Sequence, residues 1–245
     1  LNAAKDPSSP PVSYAELTVQ HRSWLGRFSH RARFDLAQRL LAPQAGEHVL
    51  DYGAGDAYLL CLMHARQPQA RYSAYEPYPA MAQQARARLQ AQMPEASLFC
   101  TREELQNQRC DKLVCCEVLE HLQEPELAQV FADFRQLLDA EGRLLLSVPV
   151  EVGPVALVKH LVRMRGAQAR RTPLRHVLAA AFGRVRELPR PAQGRYIYAH
   201  LGFDHRALRR RLAQEGFVIE TEHFSPLPWL RDWGNSQVFW LCRKA

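Results

Sequence analysis

Long apolar runs are missing from this 245-residue chain. No stretch comes near the ~18 to 20 uninterrupted apolar residues that a bilayer span requires, and the first residues lack the apolar core of a signal peptide. A soluble, cytoplasmic protein is expected. Cysteine is sparse, with six in the chain, and no pair has zinc-binding spacing. Five of them (Cys61, Cys100, Cys115, Cys116, Cys242) sit inside apolar runs and Cys110 at the edge of one, which argues for reduced thiols over a disulfide framework. Acidic residues are scarce in one segment only: residues 151–198 hold ten Lys or Arg against two acids, while the remainder holds 22 bases and 23 acids. The net charge of +7 is therefore a local property, a basic module set into a neutral body. Internal repeats are also absent.

What is present is an ordinary globular composition, 47% hydrophobic and 23% charged, at a length that suits one core. Residues 1–13, with Pro7-Ser8-Ser9-Pro10-Pro11, read as a mobile tail, and 14–245 as one domain. Residues 14–41 place Trp24, Phe28, Phe34, Leu36 and Leu40 at helical spacings, predicting an N-terminal helical cap. Strands and helices then alternate: strands at 47–52, 71–75, 96–100, 112–116 and 143–148, with helices following 55, at 80–92 and at 127–138. Such alternation predicts a mostly parallel sheet with helices on both faces. A helix at 206–214 and strands at 217–221 and 237–242 complete the chain. The last two are joined by a connection too short for a parallel return, so the seventh strand is expected to be antiparallel. The fold class is α/β, Rossmann-like, seven-stranded, with a basic insertion at about 151–199 after the fifth strand.

Chemistry concentrates at two places. In His48-Val49-Leu50-Asp51-Tyr52-Gly53-Ala54-Gly55-Asp56-Ala57 a strand ends in an acid, and two glycines precede a helix. Glycines there allow a sharp turn and close approach of a ligand to a helix N-terminus. Asp51 at the sheet edge can accept from an ammonium or an ordered water. Glu76 ends the second strand, where a carboxylate reaches both hydroxyls of a ribose. A dinucleotide loop needs a third glycine where Tyr58 stands, and that ring obstructs a pyrophosphate.

With Asp51, Gly53 and Gly55 in place, and Ala57 where a third glycine is frequent, the chain resembles the class I S-adenosylmethionine (SAM)-dependent methyltransferases over about 47–148 and again over 200–242. The resemblance implies that Asp51, Gly53, Ala54 and Gly55 contact the methionine part of SAM. It also implies that Glu76 binds the ribose hydroxyls, with Pro77 and Glu117 completing the cofactor site.

The second place is Cys115-Cys116-Glu117-Val118-Leu119-Glu120-His121-Leu122, after the fourth strand. A Glu-x-x-Glu-His cluster can hold a divalent metal, or His121 can serve as general base beside Glu120, or the segment can merely cap a turn. It resembles the ubiquinone-biosynthesis O-methyltransferases, whose likeness favours His121 and Glu120 as catalytic. It is also similar to the metal-dependent small-RNA 2′-O-methyltransferases, whose likeness implies a metal on Glu117, Glu120, His121 and a distant His200.

In the insert, Leu157, Val158, Leu161 and Val162 oppose Lys159, His160 and Arg163 on a basic amphipathic helix, which suits an anionic membrane surface or a lid over the site. Arg163 and His200, with Trp229 and Trp233 from the stiff 224–233 loop, are the candidate acceptor contacts. The expected acceptor is small, lipid-linked or glycan-type, and anionic, with peripheral membrane contact in view. RNA is disfavoured because the basic stretch has few aromatics to stack bases. A SAM-binding protein without catalysis is the remaining alternative.

Overall fold

The computed structural model describes residues 24–157, 159, 173–185, 188, 190–193, 196–197 and 201–245. The expected tail at 1–13, Arg163 and His200 lie outside them. After helix α1 (Trp24–Leu41) come β1 (His48–Tyr52), α2 (Tyr58–Arg66), β2 (Arg71–Tyr75), α3 (Pro79–Gln92), β3 (Ser97–Phe99), β4 (Cys110–Cys116), α4 (Glu124–Leu137) and β5 (Leu138–Pro149). The insert contributes α5 (Leu174–Ala181) and a hairpin of β6 (Ala192–Gln193) and β7 (Tyr196–Ile197). Then follow α6 (His205–Gln214), β8 (Phe217–Ser225) and β9 (Gln237–Lys244).

Seven strands form one sheet in the order β3-β2-β1-β4-β5-β9-β8. Pairings from β3 to β5 are parallel, and β9 runs antiparallel to both β5 and β8. This is the Rossmann-like sheet with an antiparallel last strand that the alternation predicts. Strand order reverses between β1 and β4, and the crevice this opens at the carboxyl ends is where α/β sheets bind ligands.

Each central strand is apolar on both faces, as a sheet covered on both sides requires. Leu50, Leu113, Leu144, Leu146 and Trp240 point to a core closed by Phe131 and Phe134 of α4 and by Leu208 and Leu212 of α6. Their neighbours Val49, Val114, Leu145 and Phe239 point the other way, onto Leu36 and Leu41 of α1, Leu60 and Met63 of α2, and Leu89 of α3. The two-residue period of the strands thus builds both layers at once. All six cysteines are free thiols, and burial pushes those of Cys61, Cys110, Cys116 and Cys242 up to about 11 or 12, leaving them unreactive.

Three expectations are corrected. First, β5 starts at Leu138, directly after α4, because Leu138 already pairs with Cys110 of β4 ahead of an irregularity in the register. Second, β8 runs on to Ser225, since its pairing with β9 continues through Phe224 and Ser225. Third, Lys159 does not face outward. Its Nζ donates to the Val150 carbonyl at 2.7 Å and to Oε1 of the buried Glu151 at 2.8 Å, so its charge offsets an interior carboxylate.

Among the described residues no helix is long and apolar enough to cross a membrane. Trp240 is wholly buried in the antiparallel half of the sheet, and its indole N–H donates to Glu222 at 2.8 Å. Trp240→Ala is expected to cost ~3–5 kcal/mol in urea unfolding. Trp240→Phe should cost clearly less, since Glu222 keeps Arg209 and Arg231 as partners.

Candidate functional site

The loop after β1 is held by its neighbour strand. The N–H groups of Gly53 and Ala54 both donate to the Tyr75 carbonyl, at 2.8 and 3.0 Å. Glu76, at the tip of β2, accepts from the Gly55 N–H through one carboxylate oxygen and from the Tyr78 N–H through the other, each at 2.8 Å. Gly53 and Gly55 have φ of +80° and +57°, which glycine adopts freely. Ala57, the N-cap of α2, also stands in the left-handed region at φ 59°, which explains why glycine is frequent there.

A cleft of about 180 Å³ opens where this loop meets the ends of β4 and β5. Asp51, Gly53, Ala54 and Gly55 form one wall, and Glu117 and Ser147 another. Glu76 and Pro77 are not among the residues that line it. Asp51 is 3% exposed, and burial, with Glu76 and Asp56 adding repulsion, raises its carboxyl to about 7. Burial also raises Glu76, against the opposing pull of its two backbone N–H partners.

Glu117 has φ 59°, an uncommon conformation for a residue with a side chain, and its N–H donates to the Ser147 carbonyl at 2.9 Å. That turn sends Glu117 into the cleft and carries the chain into a 3₁₀ turn, Leu119–His121. Glu120 there is completely buried, and among the described residues neither carboxylate oxygen has a hydrogen-bond partner. Desolvation pushes its carboxyl well above the usual range, and Glu117 adds to the effect. His121 Nδ1 lies 2.8 Å from the Ile197 carbonyl of β7, so Nδ1 carries the proton and Nε2 keeps its lone pair. Nε2 is 3.8 Å from Glu120 Oε1. Burial holds the imidazole below its ordinary pKa, in the neutral form. Glu120 and His121 lie beside the cleft and not on its lining; Arg190 of the insert donates to the Glu120 carbonyl. Among the described residues no three His, Cys, Asp or Glu side chains are grouped to hold a metal ion.

Trp229 and Trp233 lie in a 3₁₀ segment, Pro228–Trp233, beyond the carboxyl end of β8. Asn235 pins this loop by accepting from the Leu227 N–H and donating to the carbonyls of Leu227 and Arg231, at 2.6–2.8 Å. Both indoles are mostly solvent-exposed and outside the cleft lining. The cleft has walls that the motifs did not indicate: Arg33, Phe34 and Ala37 of α1, Met81 of α3 and Phe239 of β9. Phe34 packs edge-on against Tyr58, with ring centroids 5.2 Å apart, and the Arg88 guanidinium covers the same Tyr58 ring. Only the helical spacing of 14–41 pointed to α1 covering the sheet, and it could not say which turn of the helix meets the loop.

A seven-stranded sheet with a glycine-loop cleft at its switch point defines a Rossmann-like nucleoside-site protein. Residues 25–222 match the family model described as a methyltransferase domain, and the chain belongs to that family. Similar solved structures include the PH0226 protein of Pyrococcus horikoshii OT3 (14% identity, TM-score 0.60, 97% of each chain covered). Another is the magnesium protoporphyrin IX methyltransferase of Synechocystis PCC 6803, solved with bound SAH (14% identity, TM-score 0.56, 91% of this chain and 88% of that one). A third is a TehB-like SAM-dependent methyltransferase of Corynebacterium glutamicum (15% identity, TM-score 0.53, 85% and 87% covered). No curated protein sequence matches the chain.

A Cβ on Gly53 would come 2.5 Å from Val118 Cγ2, whereas one on Gly46, at a similar φ of +83°, would meet nothing within 4 Å. Gly46→Ala is expected to lose only the backbone preference, ~1–2 kcal/mol. Gly53→Ala should lose more than that in thermal or urea unfolding; equal losses would show that Val118 yields freely.

Proposed function

We propose that this chain transfers a methyl group from SAM to an oxygen, and less readily to a nitrogen, of a small, lipid-linked or glycan-type acceptor. The observation that carries the reading is electrostatic. The Gly55 amide, which a pyrophosphate would need at this loop, is already taken by the Glu76 carboxylate, and the buried carboxyl of Asp51 shares the cleft. Such a site repels a dinucleotide and suits a ligand bearing a sulfonium and an ammonium.

The residues present fit that ligand. Asp51 accepts from its ammonium, and Glu76 accepts from the ribose hydroxyls through the lone pairs its two backbone donors leave free. Pro77 and Glu117 complete that site. Bound SAM supplies an electrophilic methyl group on sulfur. Phe34, Ala37 and Phe239 keep water from the cleft, while the protein aligns the acceptor oxygen. The proton released by that oxygen goes to Nε2 of His121, and Glu120, 3.8 Å away, supports the imidazolium that forms. Trp229 and Trp233 are the acceptor-side contacts in this reading.

Calorimetry with SAM tests the cofactor; heat with NADH and none with SAM would overturn the reading. A carboxyl raised to about 7 gives the free protein stability that is full below about pH 4 and is lost as pH rises through 7. A bound cation favours the charged carboxylate, so binding releases a proton. SAM affinity should therefore climb by up to about tenfold per pH unit below pH 7, then level off. Asp51→Asn should flatten that profile and weaken binding. With labelled SAM and an acceptor in hand, His121→Ala should lower kcat by about 10²–10⁴-fold while the SAM affinity holds. Turnover that persists in chelator is expected; its loss would favour metal-assisted 2′-O-methylation.

A further inference from the structure

Two apolar elements stand uncovered on the side of the sheet where the cleft opens. Helix α5 buries Val177 and Ala180, the latter against Ala156 and Leu188. Its other flank presents Leu174, Leu178 and the C-cap Phe182, four residues apart and 62%, 42% and 78% exposed. Beyond β8, Trp229 and Trp233, also four apart, are 76% and 70% exposed. The two elements meet at Gly153, whose N–H donates to the Ala180 carbonyl at 3.1 Å and whose Cβ position lies 3.7 Å from the Asp232 carbonyl. β5 and β8, which precede them in the chain, are parallel to each other and to β1 and β4, so they end at the edge of the sheet that carries Asp51 and Glu117.

The charge exposed at α5 is positive, while in the other element Asp232 is paired with Arg206, and Arg231 with Glu222. Residues 152–186 contain eight Lys or Arg and no acid. Arg175 and Arg184, exposed at α5, flank its apolar stripe. Leucine and aromatic side chains on one flank with arginines beside them is the pattern of a helix lying in a lipid headgroup layer, and tryptophan prefers that depth. A two-fold contact with a second copy would bring arginine toward arginine. A nucleic acid would neutralise the charge but offers no apolar depth for Leu174 and Leu178.

We propose that α5 and the Trp229–Trp233 loop together form a docking surface for an anionic lipid bilayer, placing the mouth of the cleft against a lipid-borne acceptor. The acceptor half of this statement rests on the proposed methyl transfer; the docking half does not.

Flotation of the full chain with vesicles of phosphatidylcholine alone, and of phosphatidylcholine mixed with phosphatidylglycerol, tests it. The protein should float with the mixed vesicles, less with the neutral ones, and less again as salt is raised. Replacing Leu174, Leu178 and Phe182 together by Ser, or Trp229 and Trp233 together by Ala, leaves the charge unchanged and should cut the floated fraction by about tenfold or more. These side chains are solvent-exposed, so SAM affinity by calorimetry should hold in both variants and reports a folded protein. Failure of the intact chain to float with mixed vesicles, or flotation of both variants at its level, overturns the docking surface. A dimer in sedimentation equilibrium that the same variants dissolve would assign the face to a second copy and overturns it too. Absence of SAM binding alongside normal flotation would remove only the function reading.

Discussion

The site depends on one carboxylate accepting from two backbone amides. Glu76 directly follows β2, yet it fixes the Gly55 amide of the loop after β1 and the Tyr78 amide that leads into α3. Three segments are thereby set by one side chain, and the Tyr75 carbonyl beside it takes two more loop amides. A loop of positive-φ residues has little intrinsic preference for one shape, so it needs such external partners to stay open as a cleft. The same bonds take the Gly55 amide, which a phosphate would need, out of use.

That clamp has an electrostatic consequence. Holding Glu76 against the loop places its charge near Asp51, and Asp56 lies near enough to add to it. Asp56 is itself neutralised by Arg88, whose guanidinium bridges its side chain and its carbonyl. Asp51 has no such partner among the causes that set its titration, all of which raise it. Burial thus holds a proton on Asp51 up to about pH 7 in the free protein, and a cationic ligand is what draws it off. Binding and proton release at Asp51 are two sides of one balance.

The fold was legible wherever a local pattern had one physical meaning. β1, β2 and β4 read as strands because a strand covered on both faces is apolar throughout, and the short link between the last two strands left only an antiparallel pairing. Asp51, Gly53, Gly55 and Glu76 were legible because strand ends and glycine turns mark themselves in sequence. Arg33, Phe34 and Phe239 were not, since they reach the cleft from opposite ends of the chain, and no spacing encodes that meeting. Lys159 misled for a related reason. Helical periodicity gives it an outward position, but a lysine stem is long enough to turn back, and the buried Glu151 eight residues earlier draws it in.

The insert links these two kinds of residue. Ile197 orients His121 through its carbonyl, and Arg190 holds the Glu120 backbone, so the turn after β4 is anchored by chain that follows β5. Glu120 pays for this arrangement with a carboxyl that is dry and, among the described residues, unbonded, tolerable only because burial keeps its proton on. Burial thus pushes the Glu120 carboxyl up and the His121 imidazole down, so each favours its uncharged form. Moving the hairpin of β6 and β7 would release the His121 ring. The turn next to the cleft is thus tied to the insert through Ile197 and Arg190.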